Sequence, residues 1–229
     1  MVNQKKIMLN KILVIAPHPD DETIGCGGTL LRHIDNKDEI NFLLITKLFK
    51  ENGWKQEFII QKNKEIKKIE NVYKFKNSYK LDLPSTGLDV VPISVLVKKI
   101  SKVISEVKPN IVYTNYSNDV HTDHQIVSKA VLSSLKWFRH PSIKTALMYE
   151  TLSETNFNFQ SNNFFTPNKF INISKYLEKK IKIMKIYKSE IDKHPFPRSE
   201  NAVRANALLR GSQCGFKFAE AFKVIFERE

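Results

Sequence analysis

Val14 to Leu30 reads VIAPHPDDETIGCGGTL: an apolar run ends in a histidine, two adjacent aspartates and a glutamate, and a glycine-rich segment follows. The run from Lys11 to Ala16 (KILVIA) is of the short apolar kind that a central parallel strand shows, so the charged stretch marks the place where a buried strand leaves its sheet. A helix is expected behind it, around Thr29 to Ile34, which makes the opening a strand–loop–helix unit.

The alternation continues outward from there. Glu39 to Ile45 (EINFLLI) reads as a second strand, and Gln56 to Tyr73 carries Phe58, Ile59, Ile66, Ile69 and Val72 at helical spacing. Tyr79 to Leu83 reads as a short third strand. Pro92 opens a helix running to about Val107, with Val95, Leu96, Ile100, Val103 and Ile104 on one face. Ile111 to Thr114 is a fourth strand, His124 to Leu135 a helix and Thr145 to Tyr149 a fifth strand. Such alternation predicts an α/β fold with a mostly parallel sheet covered on both faces. The rest is less regular: a polar and aromatic loop from Phe157 to Pro167, a helix from Ser174 to Ile191 and another from Asn201 to Leu209. With no internal repeat and no linker, residues 1–229 read as one domain.

In a doubly wound sheet of order 3-2-1-4-5, strands one and four are neighbours, and ligands bind beyond their carboxyl ends. His18 and Asp21 follow the first strand; NDVHTDHQ (Asn118 to Gln125), with His121 and His124, follows the fourth. The order brings these two His/Asp clusters together at the switch point, where they can surround a cation. Two histidines and one carboxylate suit Zn²⁺ with a position left open, and Fe²⁺ takes the same set. Within the aspartate pair, Asp21 is read as a ligand and Asp20 as a base, because one carboxylate can bind metal while its neighbour accepts a proton from water. His121, near the metal but off it, is placed to donate to a developing oxyanion or a leaving nitrogen. The chemistry indicated is metal-assisted hydrolysis of an amide or ester.

Two blander readings compete with it. Polar residues at strand ends also cap helices, and Glu22 either steadies a ligand or complements a helix dipole. Gly25, Gly27 and Gly28 stand where a dinucleotide loop would be, but their spacing is not G-x-G-x-x-G, and HPDDE in front would repel a pyrophosphate. They are expected to give tight turns and close helix packing instead.

At APHPDDE and HTDH the sequence resembles the PIG-L/LmbE-like family of metal-dependent N-deacetylases. The resemblance extends through LDLPSTGLDVVPISVLVKKISKVISEVKPNIVYTN, YKSEIDKHPFPRS and RANALLRGSQCGFKFAEAF, in order and over most of the chain. It implies a Rossmann-like three-layer α/β sandwich, metal ligation by His18, Asp21 and His124, Asp20 as general base, and His121 as the charged partner that stabilises the oxyanion. It further implies removal of an N-acyl group, acetyl foremost, from an amino-sugar derivative. After the second strand ITKLFKENGW stands where many relatives of that family carry a T-x-G-E-like segment, in a loop that often helps recognise substrate.

Thirty-seven Lys plus Arg against twenty-four Asp plus Glu give a net charge of +13, spread without a tight basic block. The excess is either a solvated lysine-rich surface or a face for an anionic substrate such as a nucleotide- or lipid-linked glycan. Arg198 and Arg204 are candidates for binding an anionic group, since arginine forks match phosphate, and His194 in KHPFPRS is a third candidate substrate contact. His33 and His140 read as packed or surface histidines. Trp54, Phe58, Phe164 and Phe165 offer rings either to a sugar or to ordinary packing. Cys26 and Cys214 form neither a thiolate metal motif nor a disulfide framework, which fits a cytoplasmic protein. No export signal or membrane-spanning run is read, no nucleic-acid partner is expected, and contact with a membrane surface stays open. Two rival functions are carried forward: a metal-dependent amidase acting on a non-sugar N-acyl substrate, and a non-catalytic basic binding module on the same fold.

Overall fold

The computed structural model describes residues 9–159 and 164–229, so part of the loop expected between Phe157 and Pro167 lies outside the described residues. The strands are β1 (Lys11–Ala16), β2 (Glu39–Lys47), β3 (Asn77–Pro84), β4 (Ile111–Asn115), β5 (Thr145–Tyr149), β6 (Lys169–Asn172) and β7 (Ala219–Glu227). The helices are α1 (Asp21–Asp35), α2 (Gln56–Tyr73), α3 (Ile93–Val107), α4 (Thr122–Ser134), α5 (Leu177–Met184) and α6 (Glu200–Ser212).

They build one sheet of order β3-β2-β1-β4-β5-β7-β6. The first five strands are parallel in the expected order, and β7 then pairs antiparallel with both β5 and β6. Successive residues of a strand point to opposite faces, so β1 alone supplies two cores. Ile12 and Val14 pack with Phe42, Leu30 and Tyr73 on the side of α1 and α2. Leu13 and Ile15 pack with Leu43, Ile100 and Val127 on the side of α3 and α4. The result is the three-layer α/β sandwich, with β1 buried on both faces as its continuous apolar run requires.

Helix α1 begins at Asp21, eight residues before the expected start, because its first turn carries the charged motif rather than an apolar stripe. It breaks at Cys26, whose φ of −140° and ψ of 20° are not helical. The break frees backbone N–H groups, and Glu220 of β7 takes them: Gly28 N and Thr29 N donate to its two carboxylate oxygens at 2.8 and 2.7 Å. Lys180 of α5 completes the joint by donating to Ile24 O at 2.7 Å and to Glu220 at 2.6 Å. The glycines permit this closeness: a Cβ on Gly25 would stand 2.1 Å from the Tyr149 ring, and one on Gly28 2.7 Å from Ile173. Their expected role in close packing therefore holds. The helix expected from Ser174 to Ile191 is confined to Leu177–Met184, after which turns carry Tyr187 and Glu190 towards α1 and α2.

Candidate active site

The turn between β1 and α1 sets the first half of the site. Asp20 holds φ 128° and ψ −29°, a backbone conformation that L residues with a Cβ rarely take. Glu22, fully buried, accepts the Asp20 N–H at 3.2 Å and the hydroxyls of Thr23 (2.6 Å) and Tyr187 (3.0 Å). Burial pushes the Glu22 carboxyl up to about 7 against those three bonds. The strained turn lets Asp21 swing back so that its Oδ2 accepts the His18 N–H at 2.8 Å.

The loop between β4 and α4 supplies the second half. His124, on the first turn of α4, donates from Nδ1 to Asp119 Oδ2 at 2.8 Å, and Asp119 Oδ1 accepts the Thr155 hydroxyl at 2.5 Å. His18 is held in the same way, with Nε2 2.9 Å from Asp123 Oδ2. Asp123 is itself fixed by the N–H groups of Thr86 (2.7 Å) and Leu88 (3.1 Å).

With those outer nitrogens committed as donors, the lone pairs of His18 Nδ1 and His124 Nε2 turn towards each other and towards Asp21. His18 Nδ1 lies 3.2 Å from His124 Nε2 and 3.6 Å from Asp21 Oδ2, and His124 Nε2 lies 3.3 Å from Asp21 Oδ2. A cation bound at ~2.0–2.1 Å by each of three ligands at tetrahedral angles needs those ligands about 3.3–3.4 Å apart. The triangle fits one, and the carboxylates behind both imidazoles are the usual support of metal-bound histidine. A second group, His18, His121 and Asp123, is also close enough to hold a cation. It is the poorer set, because the Asp123 oxygens are already engaged by two backbone N–H groups and by His18.

The two crowded imidazoles hold protons more tightly than usual, and the carboxyl between them less tightly. Burial acts to lower the His124 pKa, but Asp21 and Asp119 raise it well above the ordinary imidazole value. Burial likewise opposes ionisation of Asp21, yet His124 and His18 hold its carboxyl far below the usual range. Asp20 behaves oppositely: burial, then Asp21 and Glu190, push its pKa well up, with Arg198 pulling the other way. Carboxylates adjacent in sequence thus have opposite protonation behaviour, the arrangement that separates a ligand from a proton acceptor.

His121 is the N-cap of α4, and its Nδ1 accepts the Asp123 N–H at 3.1 Å. Burial, followed by the charges of His18 and His124, lowers its pKa to about 4. With Nδ1 accepting from the backbone, Nε2 is the ring nitrogen left to donate.

These residues open on a cavity of about 230 Å³ that is also lined by Trp54, Phe58, Lys62, Glu154, Glu190 and Arg198. Residues 13–135 of the chain match the family described as PIG-L: GlcNAc-PI de-N-acetylase. The chain belongs to the PIG-L family. PIG-L proteins are N-deacetylases, hydrolases of an amide C–N bond. The diacetylchitobiose deacetylase of Thermococcus kodakarensis is 24% identical over 237 residues, covering 98% of this chain and 86% of that protein. The N,N'-diacetylchitobiose deacetylase structure from Pyrococcus horikoshii aligns with a TM-score of 0.76 at 21% identity, over 94% of this chain and 84% of the other. The conserved protein TT1542 from Thermus thermophilus aligns with a TM-score of 0.75 at 23% identity, over 96% of this chain and 97% of the other. Both structures share the fold.

Of the candidate substrate contacts in this PIG-L chain, Arg198 alone reaches the cavity, tied to Ser153 Oγ at 2.6 Å and Glu190 Oε2 at 3.1 Å. Arg204 is engaged by Glu178 and Glu200 on the outer side of α6, and His194 lines a separate recess with Lys185 and Asn201. Ser199, the α6 N-cap, starts the helix between Arg198 and Arg204, so the two arginines stand on different sides of that start. Asp119 and Asp123, the carboxylates behind the two imidazoles, are not singled out by the sequence, although both stand inside NDVHTDHQ. Glu154, half-buried on the cavity wall with its pKa raised by that burial, carries no motif that would mark it.

Proposed function

We propose that this protein is a zinc-dependent N-deacetylase that removes an acetyl group from an amino-sugar derivative. The observation that carries the reading is the triangle of His18 Nδ1, Asp21 Oδ2 and His124 Nε2, with each imidazole anchored through its other nitrogen and Asp21 Oδ2 held by the His18 backbone N–H. When bound there, zinc supplies Lewis acidity that polarises an amide carbonyl and makes a water acidic near neutral pH.

The chain's own residues do the rest. His18, Asp21 and His124 orient the site. Asp20, on the same wall, accepts the proton of the attacking water and returns it to the departing nitrogen, for which a raised carboxyl pKa suits both directions. His121 Nε2–H donates to the oxygen that gains charge as the carbonyl becomes tetrahedral. Thr151, Glu154 and Arg198 offer hydrogen bonds to sugar hydroxyls. The named activities of the relatives, on diacetylchitobiose and on N-acetyl-α-D-glucosaminyl L-malate, support an N-acetylglucosamine unit as the acylated sugar.

Two measurements test this. Elemental analysis should give about one zinc per chain in the wild type and none in the His18→Ala/His124→Ala double variant. Zinc-loaded protein should release amine from N-acetylglucosamine compounds and lose that activity to a chelator. A protein active only on N-acyl amino acids is the non-sugar amidase; one indifferent to metal and binding polyanions in a steeply salt-dependent way is the basic binding module.

A further inference from the structure

The segment after β2 places two aromatic rings on the wall of the same cavity as the candidate ligand triangle. Trp54 and Phe58 stack with centroids 5.4 Å apart and planes 14° from parallel. Gly53, in the left-handed region at φ 87°, closes a single 3₁₀ turn and aims Trp54 at the start of α2. Phe58 is fixed from behind: Lys62 Nζ lies 5.4 Å from its ring centroid and is anchored to Glu190 at 2.6 Å and Ser189 at 2.8 Å. The outcome is a half-buried stacked pair in which Phe58 is held between Trp54 and Lys62, so that Trp54 is the ring with a flat apolar face left over, in a cavity also lined by Glu190 and Arg198.

A pyranose matches that surface: its C–H groups form a flat apolar face, and its hydroxyls project around the rim. Space beyond one ring is also present. The cavity of about 230 Å³ adjoins a recess of about 180 Å³ that shares Pro19, Leu48 and Lys62 with it. Together they reach the range of roughly 300–1,000 Å³ that larger ligands occupy, which the first cavity alone does not.

We propose that Trp54 and Phe58 form a second subsite that binds a pyranose ring glycosidically linked to the N-acylated sugar at the metal ligands. The proposal rests on the amino-sugar reading above and narrows it: the preferred substrate is at least a disaccharide, and Trp54 sets that preference.

The test compares N-acetylglucosamine with N,N'-diacetylchitobiose on zinc-loaded full-length protein. Trp54→Ala should lower kcat/KM for the disaccharide about 5- to 10-fold, mainly through KM, and change the monosaccharide value less than about twofold. Trp54→Phe should recover most of the disaccharide preference. Equal losses on both sugars, or no loss on either, overturn the subsite. Binding is read separately from turnover. The chain has two tryptophans, and Trp137 is exposed away from the cavity, so in Trp137→Phe the emission reports Trp54 alone. Chitobiose, which has no acyl group to lose, should perturb that emission at lower concentration than glucosamine. A perturbation with no deacetylation of any sugar retains the subsite and removes the deacetylase reading; deacetylation with an unperturbed Trp54 does the reverse.

Discussion

His124 Nδ1 lies 2.8 Å from Oδ2 of Asp119, a carboxylate with no solvent exposure whose other oxygen holds the Thr155 hydroxyl. The contact fixes which imidazole nitrogen faces Asp21 and His18. Asp119→Ala frees the ring to rotate and to change tautomer, and should weaken zinc affinity ~10- to 100-fold with the fold intact. Competition with a chromophoric chelator measures it; an unchanged affinity would show that the ring is positioned by packing alone.

Asp20 combines a strained backbone with the role of base proposed above. Asp20→Asn should retain zinc while losing ~10²- to 10⁴-fold in kcat. Asp20→Gly should lose activity too, yet exceed Asp20→Ala in stability by about 1–3 kcal/mol, because glycine tolerates φ 128° without strain. Urea denaturation of the two variants decides this; equal midpoints would mean that the turn carries no strain.

Zinc uptake should release protons. His124 has a raised pKa in the metal-free chain, so the proton it holds near neutrality must leave before Nε2 can bind a cation. Apparent affinity should therefore rise with pH through the neutral range. Calorimetry in two buffers of different ionisation enthalpy counts the protons, and a heat independent of buffer would contradict the assignment.

Glu22 should make stability depend on pH in the direction opposite to a salt-bridged carboxylate. Its pKa is about 7 when folded and near 4.5 when unfolded, so between those values the folded state binds more protons. Stability from this group falls as pH rises from about 4.5 to 7 and is level above. Glu22→Gln should flatten that part of the profile, read as the difference in urea midpoint between about pH 5 and about pH 8. An unchanged slope would assign it elsewhere.

Glu220 and Lys180 are a buried pair, and loss of Glu220 leaves polar groups unsatisfied on two elements, α1 and α5. Glu220→Ala should cost about 3–5 kcal/mol, since it strands a buried ammonium and two backbone N–H groups. A thermal shift of only a degree or two would mean that the broken helix closes without it.

The first five strands and their order are legible because each is a short apolar run followed by a helical pattern, and that order alone brings His18 and His124 together. The candidate ligands and base are legible for a second reason: His and Asp clustered at two strand ends is a pattern that packing does not require. Strand β7 is not read as a strand from its residues. AEAF stands out there only as a family feature, and its use becomes visible once Glu220 is seen to hold the break in α1. Sequence spacing carries no sign of a partner 192 residues away. Asp119 and Asp123 are hidden in a different way, standing beside their histidines with nothing in the spacing to tell a support from a ligand. Arg204 pairs with Glu178, and nothing in its sequence setting tells that use of a guanidinium from binding a substrate anion.

The joint between Glu220 and the break in α1 also has a consequence in time. Ribosomes emit Asp21, Gly28 and Thr29 early, while the carboxylate that satisfies Gly28 and Thr29 follows some 190 residues later. Until then the broken helix that carries Asp21 lacks the carboxylate that takes those two N–H groups in the folded protein. A nascent chain halted before β7 already contains every candidate ligand and the proposed base, yet should capture zinc poorly, so that competence for chemistry is delayed until Glu220 has left the exit tunnel.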